Sequence, residues 1–214
     1  MKDSSASFFR SALSLGLVAV IGTTLLSGVN ELTVERIAEQ ERRVVLEQLG
    51  QIIAPVRYDN ELQDDWFAFS DEASFPQGQR VVAYRARRGG KPVAIILRFA
   101  AVDGYNGHIG LLAGIEPDGR LAGVRVTAHR ETPGLGDAIE IEKSNWIRAF
   151  DGKSLQAPPA PGWAVRRDGG VFDQFTGATI TPRAIVEAVR AALEYHERHQ
   201  EALYGAPAHS AEES

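Results

Sequence analysis

Three hydroxyl side chains fall within six residues near the C-terminal end, in Asp173-Gln174-Phe175-Thr176-Gly177-Ala178-Thr179-Ile180-Thr181-Pro182-Arg183. Ile185, Val186, Val189 and Leu193 follow at helical spacing, so a helix starts here. The pattern makes Thr181 its N-cap and Pro182 its first residue. Thr179 then stands just ahead of a helix N-terminus, where free amides and the macrodipole favour a phosphate. Gly177 and Ala178 leave room for a bulky group to approach the backbone. Two readings stay open on these residues: an ordinary helix cap, and an anion site.

A second stretch is Glu131-Thr132-Pro133-Gly134-Leu135-Gly136. Its glycines allow a tight backbone that can line a ligand, and Thr132 can donate a hydrogen bond. A plain strand-to-helix connection reads the same way, because Pro-Gly marks turns. Tyr105 is either a stacking ring beside that ligand or a half-buried residue at a strand end.

Other chemistries find no support. The 214 residues contain no cysteine, so disulfides, thiolate metal sites and a cysteine nucleophile are excluded. Acidic residues outnumber basic ones, 28 to 23, which argues against nucleic acid as a partner. His196-Glu197-Arg198-His199 places its histidines at i and i+3, whereas the zinc-protease helix needs i and i+4, and no metal site is expected. Glu140 and Glu142 read as surface charges. Gly104-x-x-Gly107 lacks the strand–helix setting of a nucleotide loop. No segment resembles a nucleophile elbow.

The elements that must position these residues are an antiparallel sheet and helices that cover it, an α+β domain. Arg80–Ala86 and Pro92–Phe99 read as one strand pair around an Arg-Arg-Gly-Gly turn. His108–Ile115 and Leu121–Ala128 read as a second around Glu116-Pro117-Asp118-Gly119. Helical stretches are expected near Ala138–Phe150 and Pro182–Tyr204. Residues 54–78 read as loop with short elements.

Ser11 to Val29 is nineteen residues without a charge. As a helix this spans roughly 28 Å, close to the hydrocarbon thickness of a bilayer. Lys2 and Arg10 precede it, and Glu31 and Glu35 follow. The positive-inside rule puts residues 1–10 in the cytoplasm and the chain after Val29 outside. A cleaved signal peptide is the competing reading, but the run is long and Leu26-Ser27-Gly28 is a poor cleavage site. Residues 30–50 read as a connector helix, 51–204 as the external domain and 205–214 as a small, polar, disordered tail.

Several of these segments together resemble a known family. Asp173-x-x-Thr176-Gly177-Ala178-Thr179 resembles the D-x-x-[ST]-G-A-T acceptor motif for covalent flavin attachment, with Thr176 standing where serine is usual. Gly104-Tyr105-Asn106-Gly107-His108-Ile109, Glu131-Thr132-Pro133-Gly134-Leu135-Gly136 and Lys143-Ser144-Asn145-Trp146 resemble further signatures, in the same order along the chain. The family is the covalent FMN-binding domain of membrane electron-transport complexes. Within it the likeness is greatest to the G subunits of Rnf-type (Rsx-type) ion-translocating complexes. The NqrC-type subunits of sodium-translocating NADH:quinone reductases share the acceptor motif and are the alternative, as is an anchored flavin scaffold or sensor.

The resemblance implies FMN esterified through its phosphate to Thr179. Asp173, Thr176, Gly177 and Ala178 would shape or mark the acceptor, and Glu131, Thr132, Pro133, Gly134, Leu135 and Gly136 would line the cofactor. Asp173 either helps transferase recognition or deprotonation, or is a loop cap. It also implies a single-pass inner-membrane protein with a periplasmic domain. A Mg-dependent periplasmic flavin transferase would supply FMN from FAD, because a neutral threonine hydroxyl is a poor nucleophile on its own. The partners implied are other membrane, iron–sulfur and flavin subunits, in a complex that couples electron transfer between ferredoxin and NAD to ion translocation.

Overall fold

The structure is a computed structural model that describes residues 47–205 and, ahead of them, Gly16, Val20 and Thr23. The chain divides into two units, residues 1–45 and 46–214. In the first, Gly16, Val20 and Thr23 are helical, and the Thr23 hydroxyl donates to the Val20 carbonyl at 3.1 Å. The cytoplasmic segment 1–10, the rest of the expected span 11–29, most of the connector and residues 206–214 of the tail lie outside the described residues. Among the described residues no helix is long and apolar enough to cross a membrane.

The second unit is built on a five-stranded antiparallel meander. Its strands are β1 (Trp66–Phe69), β2 (Val81–Arg88), β3 (Lys91–Gly104), β4 (Gly107–Ile115) and β5 (Leu121–Ala128), in the order β1-β2-β3-β4-β5. The two expected hairpins are therefore parts of one sheet. β3 runs five residues beyond the expected Phe99 and turns through Tyr105-Asn106 directly into β4. Gly104 is needed there, since a Cβ would strike the Gly107 carbonyl oxygen. β1 is added within the stretch read as loop with short elements.

One sheet face carries Val81, Ala83, Ile95, Leu97, Phe99, Ile109, Leu111 and Ala113, all buried in the main core. The C-terminal helix, Ile180–Gly205, covers it with Ile185, Val186, Val189, Ala192 and Leu193. These five follow the 3.6-residue period that the sequence displays.

The opposite face is also buried. Residues 47–52 form the end of a helix, and Leu49, Ile52 and Ile53 are buried with Ala94, Ile96 and Leu112. Ile96, Gly114 and Gly123 pair across β3, β4 and β5. A Cβ on Gly114 would collide with Ile52, so the glycine makes the seat for that helix end. Arg125, on the same face, donates to the Gln51 carbonyl at 3.0 Å and satisfies one of the helix's terminal acceptors.

The expected helix over Ala138–Phe150 is two short 3-10 segments, Gly136–Ile139 and Trp146–Phe150. Ser144 accounts for the break. Its hydroxyl donates to the Ala138 carbonyl at 2.6 Å and accepts from the Trp146 amide at 3.1 Å, replacing the ladder bonds of a continuous helix.

Candidate functional site

The acceptor-like segment closes on itself. The Ala178 amide donates to the Phe175 carbonyl at 3.1 Å, with Thr176 and Gly177 at the turn centre. Gly177 has φ of +81°, the left-handed value that the third residue of a type II turn requires. The helix then starts at Ile180, one residue before the expected cap. The Thr179 carbonyl accepts from the Arg183 amide at 3.3 Å, so Thr179 and not Thr181 holds the capping position. Thr181 lies inside the first turn and is wholly buried. Pro182, in the same turn, has no N–H to leave unsatisfied.

An aromatic cluster buttresses this turn from behind. Trp146 meets Phe175 edge-on at 5.3 Å and donates its indole N–H to the Asp173 carbonyl at 2.7 Å. Phe150 stacks on Phe172 at 4.6 Å. The Asp173 carboxylate itself is exposed and pairs with Arg166 at 3.1 Å.

A cavity of about 330 Å³ opens in front of the turn. It is lined by Thr179 with Gly177, Ala178, Ile180 and Thr181, and across from them by Tyr105, Glu131, Thr132, Leu135 and Gly136. The volume lies at the lower end of small-molecule sites. Tyr105, Leu135 and Ile180 are 65%, 46% and 45% exposed at its rim, an apolar surface left open to water. Of the expected site residues, Asp173, Thr176, Pro133 and Gly134 do not line the cavity. Ile180 and Thr181 line it, although the sequence pattern gave Ile180 no role and Thr181 only that of the helix cap.

The far wall is held by Glu131. The residue is 4% exposed, and its carboxylate accepts from the Thr181 hydroxyl and from the Asn106 backbone amide, the latter at 3.0 Å. Asn106 also donates to the Thr132 hydroxyl at 3.2 Å. The β3–β4 turn, the 131–136 loop and the helix start are thus joined through one carboxylate. Gly136 packs on this junction: a Cβ there would lie 2.8 Å from Glu131 Oε2 and 3.1 Å from Thr181 Oγ1.

Behind the loop lies a second polar group. His129 Nδ1 accepts the Glu131 amide at 3.0 Å, and its Nε2 meets Glu140 at 2.8 Å. Lys143 donates to both Asp137 and Glu140 at 2.8 Å. The Lys143 hydrogen bond, more than any other cause, holds each of these carboxylates below the ordinary range. Glu140, read from sequence as a plain surface charge, is therefore part of the scaffold under the loop. His196 and His199 lie away from the cavity lining: His196 Nε2 is 3.2 Å from the Tyr204 hydroxyl, and His199 Nδ1 is 3.0 Å from its own helix at the Tyr195 carbonyl.

Comparison with known proteins places this geometry. Residues 104–194, which contain every residue lining the cavity, match the FMN-binding domain, and residues 1–52 match the RnfG N-terminal region. The G subunit of the ion-translocating oxidoreductase complex of Pseudomonas aeruginosa is 48% identical over 92% of this chain and 92% of its own. The chain belongs to the family of G subunits of ion-translocating oxidoreductase complexes. The family members of Shewanella loihica and Vibrio cholerae serotype O1 are each 44% identical, over 94% and 92% of this chain and 95% and 94% of their own. Identity at this level decides for the RnfG-type protein over the sodium-pump alternative. The crystal structure of Shewanella oneidensis NqrC aligns at a TM-score of 0.48 and 21% identity, covering 71% of this chain and 74% of that one. That likeness is too loose to carry any site residue across.

Proposed function

We propose that this RnfG-type protein is an electron carrier whose FMN is esterified to Thr179 and seated in the cavity between the helix start and the 131–136 loop. The observation that carries the reading is the cavity itself, which combines one accessible hydroxyl at a helix N-terminus with an open apolar rim. The residues present fit such a group. Thr179 supplies the ester oxygen. The amides of Ile180 and Thr181 have no upstream helical carbonyl and face the phosphate end. Tyr105, Leu135 and Ile180 offer apolar surface to a flat ring, and Thr132 a hydroxyl. FMN supplies one- and two-electron chemistry, and the protein's part is placement and tuning.

Attachment is a group transfer. The Thr179 oxygen bonds to the flavin-side phosphorus of FAD, the pyrophosphate bond breaks, AMP leaves, and the hydroxyl proton passes to a base on the transferase. A neutral threonine hydroxyl is a poor nucleophile, and Asp173, the acidic residue of the motif, is exposed and paired with Arg166 and does not line the cavity. The protein therefore depends on that transferase. Residues 11–29 anchor it in the inner membrane with residues 51–204 in the periplasm, beside partner subunits that exchange electrons between ferredoxin and NAD and move ions.

A denaturing gel under ultraviolet light tests the attachment. Wild type co-expressed with the transferase gives a fluorescent band and Thr179→Val a dark one; a fluorescent Thr179→Val band refutes the assignment. Thr179→Val assembled into the complex tests the carrier role. Intact assembly with lost electron transfer is expected, and unimpaired turnover contradicts it.

A further inference from the structure

Among the described residues Glu131 is the only charged one lining the cavity. Its carboxylate is buried, and both groups that hold it, the Thr181 hydroxyl and the Asn106 amide, are neutral. Among the described residues no lysine, arginine or histidine pairs with it. The neighbouring polar group does not supply a cation either: Lys143 is engaged by Asp137 and Glu140, and His129 meets Glu131 only at its backbone amide. Burying a carboxylate with neutral partners alone is expensive, and a fold tolerates it chiefly where the charge has a use. Gly136 packs closely on this junction, where a Cβ would lie 2.8 Å from Glu131 Oε2 and 3.1 Å from Thr181 Oγ1.

We propose that Glu131 sets the potential of the bound flavin, its fixed negative charge holding that potential low. This rests on the flavin occupying the cavity as described above. Two electrons and one proton convert the oxidised ring to its reduced anion, so reduction adds one net negative charge. That charge is repelled by Glu131, and among the described residues no lining cation offsets the repulsion. Oxidised flavin is favoured, and the group becomes a stronger reductant than the same flavin on an unfolded peptide. Glu131 acts on the flavin through space and is a positioning and tuning residue with no bond to make or break.

The test is a dithionite titration with mediator dyes on the flavin-loaded full chain, with peptide mass spectrometry on the same sample. Glu131→Gln keeps both hydrogen bonds, its amide oxygen accepting from Asn106 and its amide nitrogen donating to Thr181, and removes only the charge. Its midpoint potential is expected to be more positive than wild type, with Glu131→Asp staying near wild type. An unchanged or more negative potential in Glu131→Gln overturns the proposal. Wild type provides a second measurement that needs no variant: its potential must lie below that of the flavopeptide released by protease, and an equal or higher value also overturns it. A sample without flavin on the Thr179 peptide refutes the attachment reading instead, which keeps the two failures apart.

Discussion

At the scale of single residues the cavity depends on contacts between side chains about fifty positions apart. Glu131 reaches Thr181, and Gly136 leaves the space in which they meet. Gly136→Ala forces a methyl against both oxygens and should destabilise the domain by about 1–3 kcal/mol, as overpacking of a tight site does. A chemical-denaturation midpoint measures this, and an unchanged midpoint would mean the junction is looser than its geometry indicates. Gly134→Ala differs in cause: nothing crowds its Cβ, but its φ of +79° strains any other residue. The need for a glycine at 136 was legible in the sequence as turn chemistry. Its actual reason, the buried pair beneath it, was not, because sequence spacing carries no information about which distant hydroxyl finds which carboxylate.

At the scale of elements, the Phe175–Ala178 turn is only as firm as the aromatic wall behind it. Trp146→Phe removes the hydrogen bond to the Asp173 carbonyl and should cost about 1 kcal/mol while keeping most of the ring contact. Amide exchange over residues 173–179 should quicken, with exchange in β3 and β4 unaffected. Uniform quickening across the domain would show that Trp146 acts on global stability instead. The C-terminal helix was readable because its apolar residues keep one period over several turns, and four strands because their apolar runs flank strong turn sequences. The stretch Ala138–Phe150 misled, since a serine side chain there satisfies backbone groups that a helix would need. The helix start shifted by two residues for a related reason: the Thr181 hydroxyl is held by Glu131 and is not free to cap.

At the scale of the second unit, a sheet buried on both faces ties the cavity to both ends of residues 47–205. Gly114→Ala would push Ile52 off the sheet and should lower the melting temperature without altering the cavity lining, checked by calorimetry beside flavin loading. Acid stability has a specific contributor at the far end of the C-terminal helix. Burial pushes His196 down from 6.5 to about 4, so it stays neutral when folded while the unfolded chain takes up the proton. Its contribution is complete above pH 6.5 and is lost as pH falls from there toward 4. The full effect is about 3 kcal/mol, from the free energy of one pKa unit applied to that interval. Urea titrations at pH 7 and pH 4.5 should show His196→Phe losing less stability on acidification than wild type. Equal losses would place the acid sensitivity in the carboxylates.

The proposed function rests on one hydroxyl at the start of a helix, that of Thr179. The direct measurement is peptide mass spectrometry of the protein isolated from its native membrane. The peptide containing Thr179 should carry the mass of FMN less water, localised by fragmentation to that residue. A bare Thr179 peptide, or flavin found on Thr176 or Thr181, would contradict it.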